Sequence, residues 1–262
     1  MNRTLQHALL VTYRAVAATG ILGRGPGRRL VETAYLGYKR FFEAGSPKRL
    51  APYIREGSTV VDVGANIGFF TVPFARWVGP EGRVIALEPE AANHDRLRSR
   101  VAAAGLADRA LLLEAAAADR SGRLRLAINP NHPGDHKLAD EDMQGGIDIA
   151  AHALDDLIAA HPGPPVSLIK IDVQGAEFRV ITGAMDVIAR DRPTLLVEID
   201  PGVTDAAGTS AAAQLLGLLG ERGYDFHSWS RHGAGERQAA EAIIAAAQTA
   251  GYLDVLCIHA GD

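Results

Sequence analysis

The sequence predicts an α/β fold: a mostly parallel sheet with helices on both faces. Three observations predict it. From Thr59 onward, short apolar and β-branched runs alternate with stretches of helical spacing, as strand–helix–strand units require. The first of these runs ends in a glycine-rich turn, and the second ends in an acid. The composition is that of an ordinary globular chain, with 47% hydrophobic and 22% charged residues in 262 residues and 27.7 kDa. This length suits one domain with a small appendage. The composition excludes disorder for the bulk of the chain, and one cysteine, Cys257, excludes a disulfide framework or a multi-cysteine metal site.

Residues 4–19 carry Leu5, Leu9 and Val16 at helical spacing. The glycine-rich run 20–27 breaks that helix, and a second is expected over 30–44. Residues 1–50 therefore read as a helical cap, and 51–262 as the main domain. The cap holds nine Lys and Arg against two acids, a net +7, which leaves −11 for the rest of a chain whose total is −4. The stretch 7–22 is too short and too polar to span a bilayer and lacks a signal-peptide cleavage pattern, so a cytoplasmic protein is expected. Strands are expected at 59–63, 83–88, 110–114, 166–172, 194–199, 226–229 and 254–259, with an extra strand or hairpin arm at 123–127. Helices are expected near 68–78, 91–104, 154–160, 176–190 and 211–222. Residues 128–150, crowded with Gly, Pro and Asn, read as a long irregular loop.

The run from Val60 to Phe70 carries the first chemical signal. An apolar strand reaches Asp62, and Gly64 and Gly68 then flank Asn66. Gly64 lets the backbone turn and approach a ligand, and Gly68 lets the following helix pack closely. The spacing is G-x-x-x-G, not the G-x-G-x-x-G of dinucleotide binders. An acid two residues before the first glycine repels a pyrophosphate but suits an ammonium or hydroxyl donor. A cofactor with an amino-acid tail is favoured over NAD or FAD. Glu88, ending the second strand, is placed to accept hydrogen bonds from the ribose hydroxyls of an adenosine.

These segments resemble the S-adenosylmethionine-binding core of class I methyltransferases. VVDVGANIGFFT, VIALEPE, LDDL, LIKIDVQGAE and RPTLLVEID, in this order over residues 50 to 200, resemble the FkbM family. The resemblance implies a seven-stranded Rossmann-like sheet with its last strand antiparallel. It also implies methyl transfer to an oxygen, commonly a sugar or natural-product hydroxyl. It places Asp62, Gly64, Ala65, Asn66, Gly68, Phe69, Glu88, Pro89, Glu114, Ala115, Ala116 and Asp172 around the cofactor. Asp62 would face its methionine end, directly or through water, the 64–68 turn would pass beneath it, Glu88 would bind the ribose, and 114–116 would flank the adenine. The family usually has a glutamate where this chain has Gln174.

Methyl transfer to a hydroxyl needs an aligned acceptor and somewhere for its proton to go. Lys170 interrupts an apolar strand, a costly placement unless it is paired. It shares a strand face with Asp172, and Glu198 ends the next strand. Lys170, Asp172 and Glu198 thus read as a polar catalytic cluster, or else as an ion-pair network ordering the strand ends. Asp172 and Glu198 also have the chemistry to hold a divalent cation, though no sequence feature compels one and no metal ligand is assigned. In the 128–150 loop, His136, near His132 and Asp135, is a candidate general base. Trp229 and Phe226 read as core before pocket, and His94 as a surface or cofactor-rim residue. The leading expectation is a small-molecule O-methyltransferase whose acceptor is a sugar, nucleoside or other intermediate, glycosylated, anionic or carrier-bound. N-methylation and a non-catalytic cofactor-binding protein are the alternatives. Nucleic acid is disfavoured by the −11 charge, no membrane span is expected, and a homo-oligomer is compatible with the chain.

Overall fold

The computed structural model describes residues 47–127, 137–139, 146–204 and 208–261. The helical cap expected for 1–50 lies outside these residues except for its last four, and so do His132, Asp135 and His136.

After a 3-10 turn at Pro47–Tyr53 come β1 (Thr59–Val63), α1 (Thr71–Trp77), β2 (Arg83–Leu87), α2 (Ala91–Ala103) and β3 (Ala110–Leu113). Four short strands follow: β4 (Ala115–Ala117), β5 (Gly122–Ala127), β6 (Lys137–Ala139) and β7 (Ile147–His152). The chain continues through α3 (Leu154–Ala160), β8 (Val166–Ile171), α4 (Glu177–Thr182), α5 (Met185–Asp191), β9 (Thr194–Ile199) and α6 (Ala211–Gly220). It closes with β10 (Tyr224–Ser230), β11 (Gly233–Gln238), α7 (Ala240–Ala250) and β12 (Leu253–His259).

Among the described residues the main sheet runs β11-β10-β12-β9-β8-β1-β2-β3. The five strands from β9 to β3 are parallel, while β12 is antiparallel to both β9 and β10. The sheet therefore contains the seven expected strands and one more. The added strand, β11, folds back on β10 through a turn closed by the Ser230–Gly233 pair, and Gly233 supplies the positive φ of +99° that the reversal needs. β1 and β8 are buried on both faces, which is why they read as continuous apolar runs. Alternate residues feed two cores. Val61, Ile85, Ile169 and Leu195 join one side with α3 to α7, and Val60, Val84, Leu168 and Leu196 join the other with Phe74 and Leu97. β1 lies between β2 and β8, where the strand order reverses, and this opens a crevice at the carboxyl ends.

Three expectations are corrected. The helix expected over 176–190 is two helices. Gly183 sits so close to the Ala118 carbonyl that a Cβ would lie 2.0 Å from that oxygen, and its own carbonyl accepts from Asp155 N at 2.9 Å, so the chain bends there. The 128–150 segment is not wholly irregular: β6 and β7 join β4 and β5 in a second sheet, ordered β4-β7-β5-β6. The alanine-rich α7, with Ile243 and Ala247 buried, was not expected at all.

Candidate functional site

The crevice beside β1 is an open cleft with about 860 Å³ of empty space. Its floor is the turn after β1. Gly64, Asn66 and Gly68 have φ of +72°, +49° and +81°. The amides of Gly64 and Ala65 both donate to Leu87 O at 3.0 Å, which ties the turn to β2. A Cβ on Gly64 would lie 1.9 Å from the Asp172 carbonyl oxygen, so the turn and the end of β8 touch backbone to backbone. Gly64→Ala is therefore expected to cost roughly 2 kcal/mol or more from the backbone conformation and this clash, and to abolish ligand binding in the cleft. Denaturant unfolding and calorimetry check both effects. Gly68 does not line the cleft; a Cβ there would meet Leu97 Cδ1 at 2.7 Å, so it permits α2 to pack against the turn.

Glu88, immediately after β2, is buried on the cleft wall. Its Oε2 accepts from Asn66 N at 2.8 Å and its Oε1 from Glu90 N at 3.1 Å. Burial pushes this carboxyl up to about 7 against the pull of those two amides. The neighbouring Glu90 instead caps α2, accepting from Ala92 N and Asn93 N at 3.0 and 2.7 Å.

Strand register sets Lys170 beside Asp62. The ammonium donates to Val63 O at 3.2 Å and Gly64 O at 2.9 Å, lies 3.5 Å from Asp62 Oδ1 and 3.6 Å from Asp172 Oδ2, and sits 5.5 Å from the Phe70 ring centroid. Thr71 Oγ1 donates to Asp62 Oδ2 at 2.6 Å. Asp62 is 0% exposed and does not line the cleft. Lys170 and Thr71 face its oxygens, so of the direct and water-mediated contacts expected for Asp62 the direct one has no opening onto the cleft. The expected lysine between Asp172 and Glu198 is a lysine between Asp62 and Asp172, and the three charges sum to −1.

Glu198 does not line the cleft; it joins the site through Gln174, whose Nε2 donates to Glu198 Oε1 at 3.0 Å and Asp172 Oδ1 at 3.3 Å. Gln174 has a left-handed φ of +54°. The turn that carries it is held by buried Glu177, whose Oε1 accepts from Val173 N at 3.3 Å and Gly175 N at 3.0 Å. Burial, aided by Asp172, pushes Glu177 up to about 7 from an ordinary 4.5. A carboxyl raised in the folded state binds its proton more tightly there, so its stabilising contribution is full below about pH 4.5 and is lost as pH rises through 7. Relative to Glu177→Gln, the wild type is expected to lose about 3 kcal/mol of stability between those limits. Urea titrations of both proteins across that range read the difference.

The cleft also has an apolar lining: Leu87, the three alanines of β4, and Leu126 of β5, which packs in a small core with Ala116 and Ile149. Ala65, Phe69, Pro89, Ala115 and Ala116 line the cleft as expected from the sequence. Glu114 does not; its side chain is 56% exposed at the rim, 3.7 Å from His94 Nδ1. Trp229 is core, edge-on to Tyr53 at 6.4 Å, and Phe226 is core on the other face. Sequence reasoning missed Phe70, Asn93 and Leu126 as lining residues. Phe70 adjoins Phe69 in the motif and was within reach, whereas Leu126 lies in the expected strand at 123–127 but reaches the cleft only through that strand's pairing in a second sheet. Among the described residues, no group of three or more His, Cys, Asp or Glu is placed to hold a metal ion, and no helix is long and apolar enough to cross a membrane.

With this geometry established, comparison with known proteins is informative. A model of the methyltransferase FkbM domain matches residues 62–226. Methyltransferase sdnD of Sordaria araneosa is 28% identical over 154 residues, covering 47% of this chain and 59% of that protein. The 31-O-demethyl-FK506 methyltransferase FkbM of Streptomyces tacrolimicus is 28% identical over 219 residues, covering 72% and 80%. The 2-O-methyltransferase NoeI of Sinorhizobium fredii is 27% identical over 152 residues, covering 51% and 60%. The chain thus spans less than two thirds of the Sordaria and Sinorhizobium relatives. A crystal structure of methyltransferase FkbM from Methylobacillus flagellatus aligns with a TM-score of 0.47 at 17% identity, covering 96% of this chain and 60% of that one.

Proposed function

Because the chain belongs to the FkbM methyltransferase family, we propose that it moves a methyl group from S-adenosylmethionine to a hydroxyl of a small molecule, with the cleft beside Gly64 as the cofactor site. The observation that carries this reading is Glu88: a buried carboxylate on the cleft wall, fixed by the amide of the glycine turn and facing the space next to an apolar bed. When bound, the cofactor supplies an electrophilic methyl on a sulfonium, so the chemistry is an in-line displacement.

The residues present fit that group. Glu88 would accept from ribose hydroxyls. Ala115 to Ala117 and Leu126 offer a flat apolar surface for the base. The net −1 of Asp62, Lys170 and Asp172 suits the cationic, amino-acid end. Lys170 gives two of its N–H bonds to the carbonyls of Val63 and Gly64, so it shapes the turn from behind. Asp172, on the cleft wall, would accept the acceptor hydroxyl's hydrogen bond and receive its proton as the O–H bond breaks, with Glu198 joined to it through Gln174. His136, outside the described residues, is the second candidate for that proton; full turnover by His136→Ala would exclude it.

Transfer to oxygen rather than nitrogen is supported by the relatives named for 31-O and 2-O methylation. The acceptor is then a hydroxylated sugar, nucleoside or natural-product intermediate met in the cytoplasm. Incubation with cofactor carrying a tritiated methyl group and panels of such compounds tests this. Label in an O-methyl group, located by NMR, is expected; label in an N-methyl group alone would contradict it.

A further inference from the structure

Beside Asp172 on the cleft wall is a hydrogen-bond arrangement that the methyl-transfer reading does not require. Two carboxylates from adjacent parallel strands, Asp172 after β8 and Glu198 in β9, each accept a hydrogen bond from one nitrogen, Gln174 Nε2, at 3.3 and 3.0 Å. The amide reaches both because of the backbone. Residue 174 takes a left-handed conformation, uncommon for a side chain of this kind, and Gly175 follows at φ +101°. The buried Glu177 carboxylate pins this turn through two amides. The backbone that carries the donor is therefore held in place by the fold.

Two carboxylates converging within 3.3 Å of one point repel each other unless something positive lies between them. A divalent cation is one such group, and a carboxamide N–H₂ with two donors is another. We propose that Gln174 is a positioning residue that takes the place of a cation between Asp172 and Glu198, joining them into one rigid pair for the acceptor's hydroxyl. The assignment of this part of the cleft wall to the acceptor rests on the proposed function; the occupancy of the point between the carboxylates by the amide does not.

Two substitutions read this out. Gln174→Glu keeps length and shape but exchanges the donors for a third carboxylate, and Gln174→Ala removes the amide. The probe is Mn²⁺ alone, followed by electron paramagnetic resonance on the full chain. Calorimetry with S-adenosylhomocysteine on the same samples reports whether the cofactor cleft is intact. Gln174→Glu is expected to bind one Mn²⁺ at least tenfold more tightly than wild type, with Gln174→Ala between the two, and Asp172→Asn in the Gln174→Glu background is expected to abolish the gain. A purely structural role for Gln174 would lower stability without creating cation affinity. Equal Mn²⁺ affinity in all three proteins, whether weak or strong, would overturn the proposal. Failure of the wild type to bind S-adenosylhomocysteine would instead overturn the cofactor reading and leave this result standing.

Discussion

Replacing Glu88 by glutamine is expected to weaken S-adenosylhomocysteine binding by at least about tenfold and to flatten its dependence on pH. A charge-assisted hydrogen bond contributes roughly 1.5–3 kcal/mol, and the carboxylate has two oxygens to offer the ribose. In the ligand-free protein burial pushes this group up to about 7. Hydroxyl donors favour its ionised form, so binding expels the proton. Wild-type affinity should therefore rise as pH climbs from 6 through 7 and level off above about 8. The stability of the ligand-free protein moves the other way. The raised carboxyl contributes stability that is full below about 4.5 and is lost as pH passes 7. The glutamine variant should then be no less stable than wild type at pH 8, even though its amide accepts from only one of the Asn66 and Glu90 amides. Calorimetry at several pH values and urea unfolding at pH 8 test the pair. A variant that binds normally, or a wild type whose affinity ignores pH, contradicts the assignment.

Lys170→Met is expected to be the most damaging substitution to the fold among those considered, costing about 3–5 kcal/mol. It removes the ammonium 3.5 Å from a wholly buried Asp62, and it removes the donor from the carbonyls of Val63 and Gly64. Asp62 Oδ1 has no hydrogen-bond donor to fall back on among the described residues. A loss of that size is a large share of the 5–15 kcal/mol that holds a typical domain together. The double variant Lys170→Met with Asp62→Asn removes both charges of the pair and should recover at least half of the loss, read from denaturant midpoints. A single-variant cost below about 1 kcal/mol would mean that the pair is not the anchor described.

The sequence announced the site where its causes are local. β1 and β9 were bounded correctly because a strand buried on both faces leaves an unbroken apolar run between polar ends. The glycine turn and Glu88 were legible because turn chemistry and strand-end acids follow short-range rules. Lys170 stood out as a buried charge in an apolar strand, but its partner did not. That Asp62, not Glu198, receives it depends on the β1–β8 register, a fact of tertiary structure. The second sheet was hidden for a different reason. β4 is three alanines, and β7 leaves Ile147 44% exposed, so neither carries a clean alternating pattern. Leu126 lies in β5, which was expected as a strand or hairpin arm, but its place on the cleft depends on that sheet. The split of the helix at Gly183 was invisible because its cause, the backbone of Ala118, lies far away in the chain.

The central claim is that the cleft bounded by the Gly64 turn, Glu88 and the alanines of β4 holds an adenosyl sulfonium cofactor. Calorimetric titration of the dialysed full chain with S-adenosylhomocysteine, with NAD as the control, tests it most directly. Micromolar, one-to-one binding of the former and none of the latter is the result this structure predicts. Preference for NAD, or no binding by well-folded protein, would contradict it.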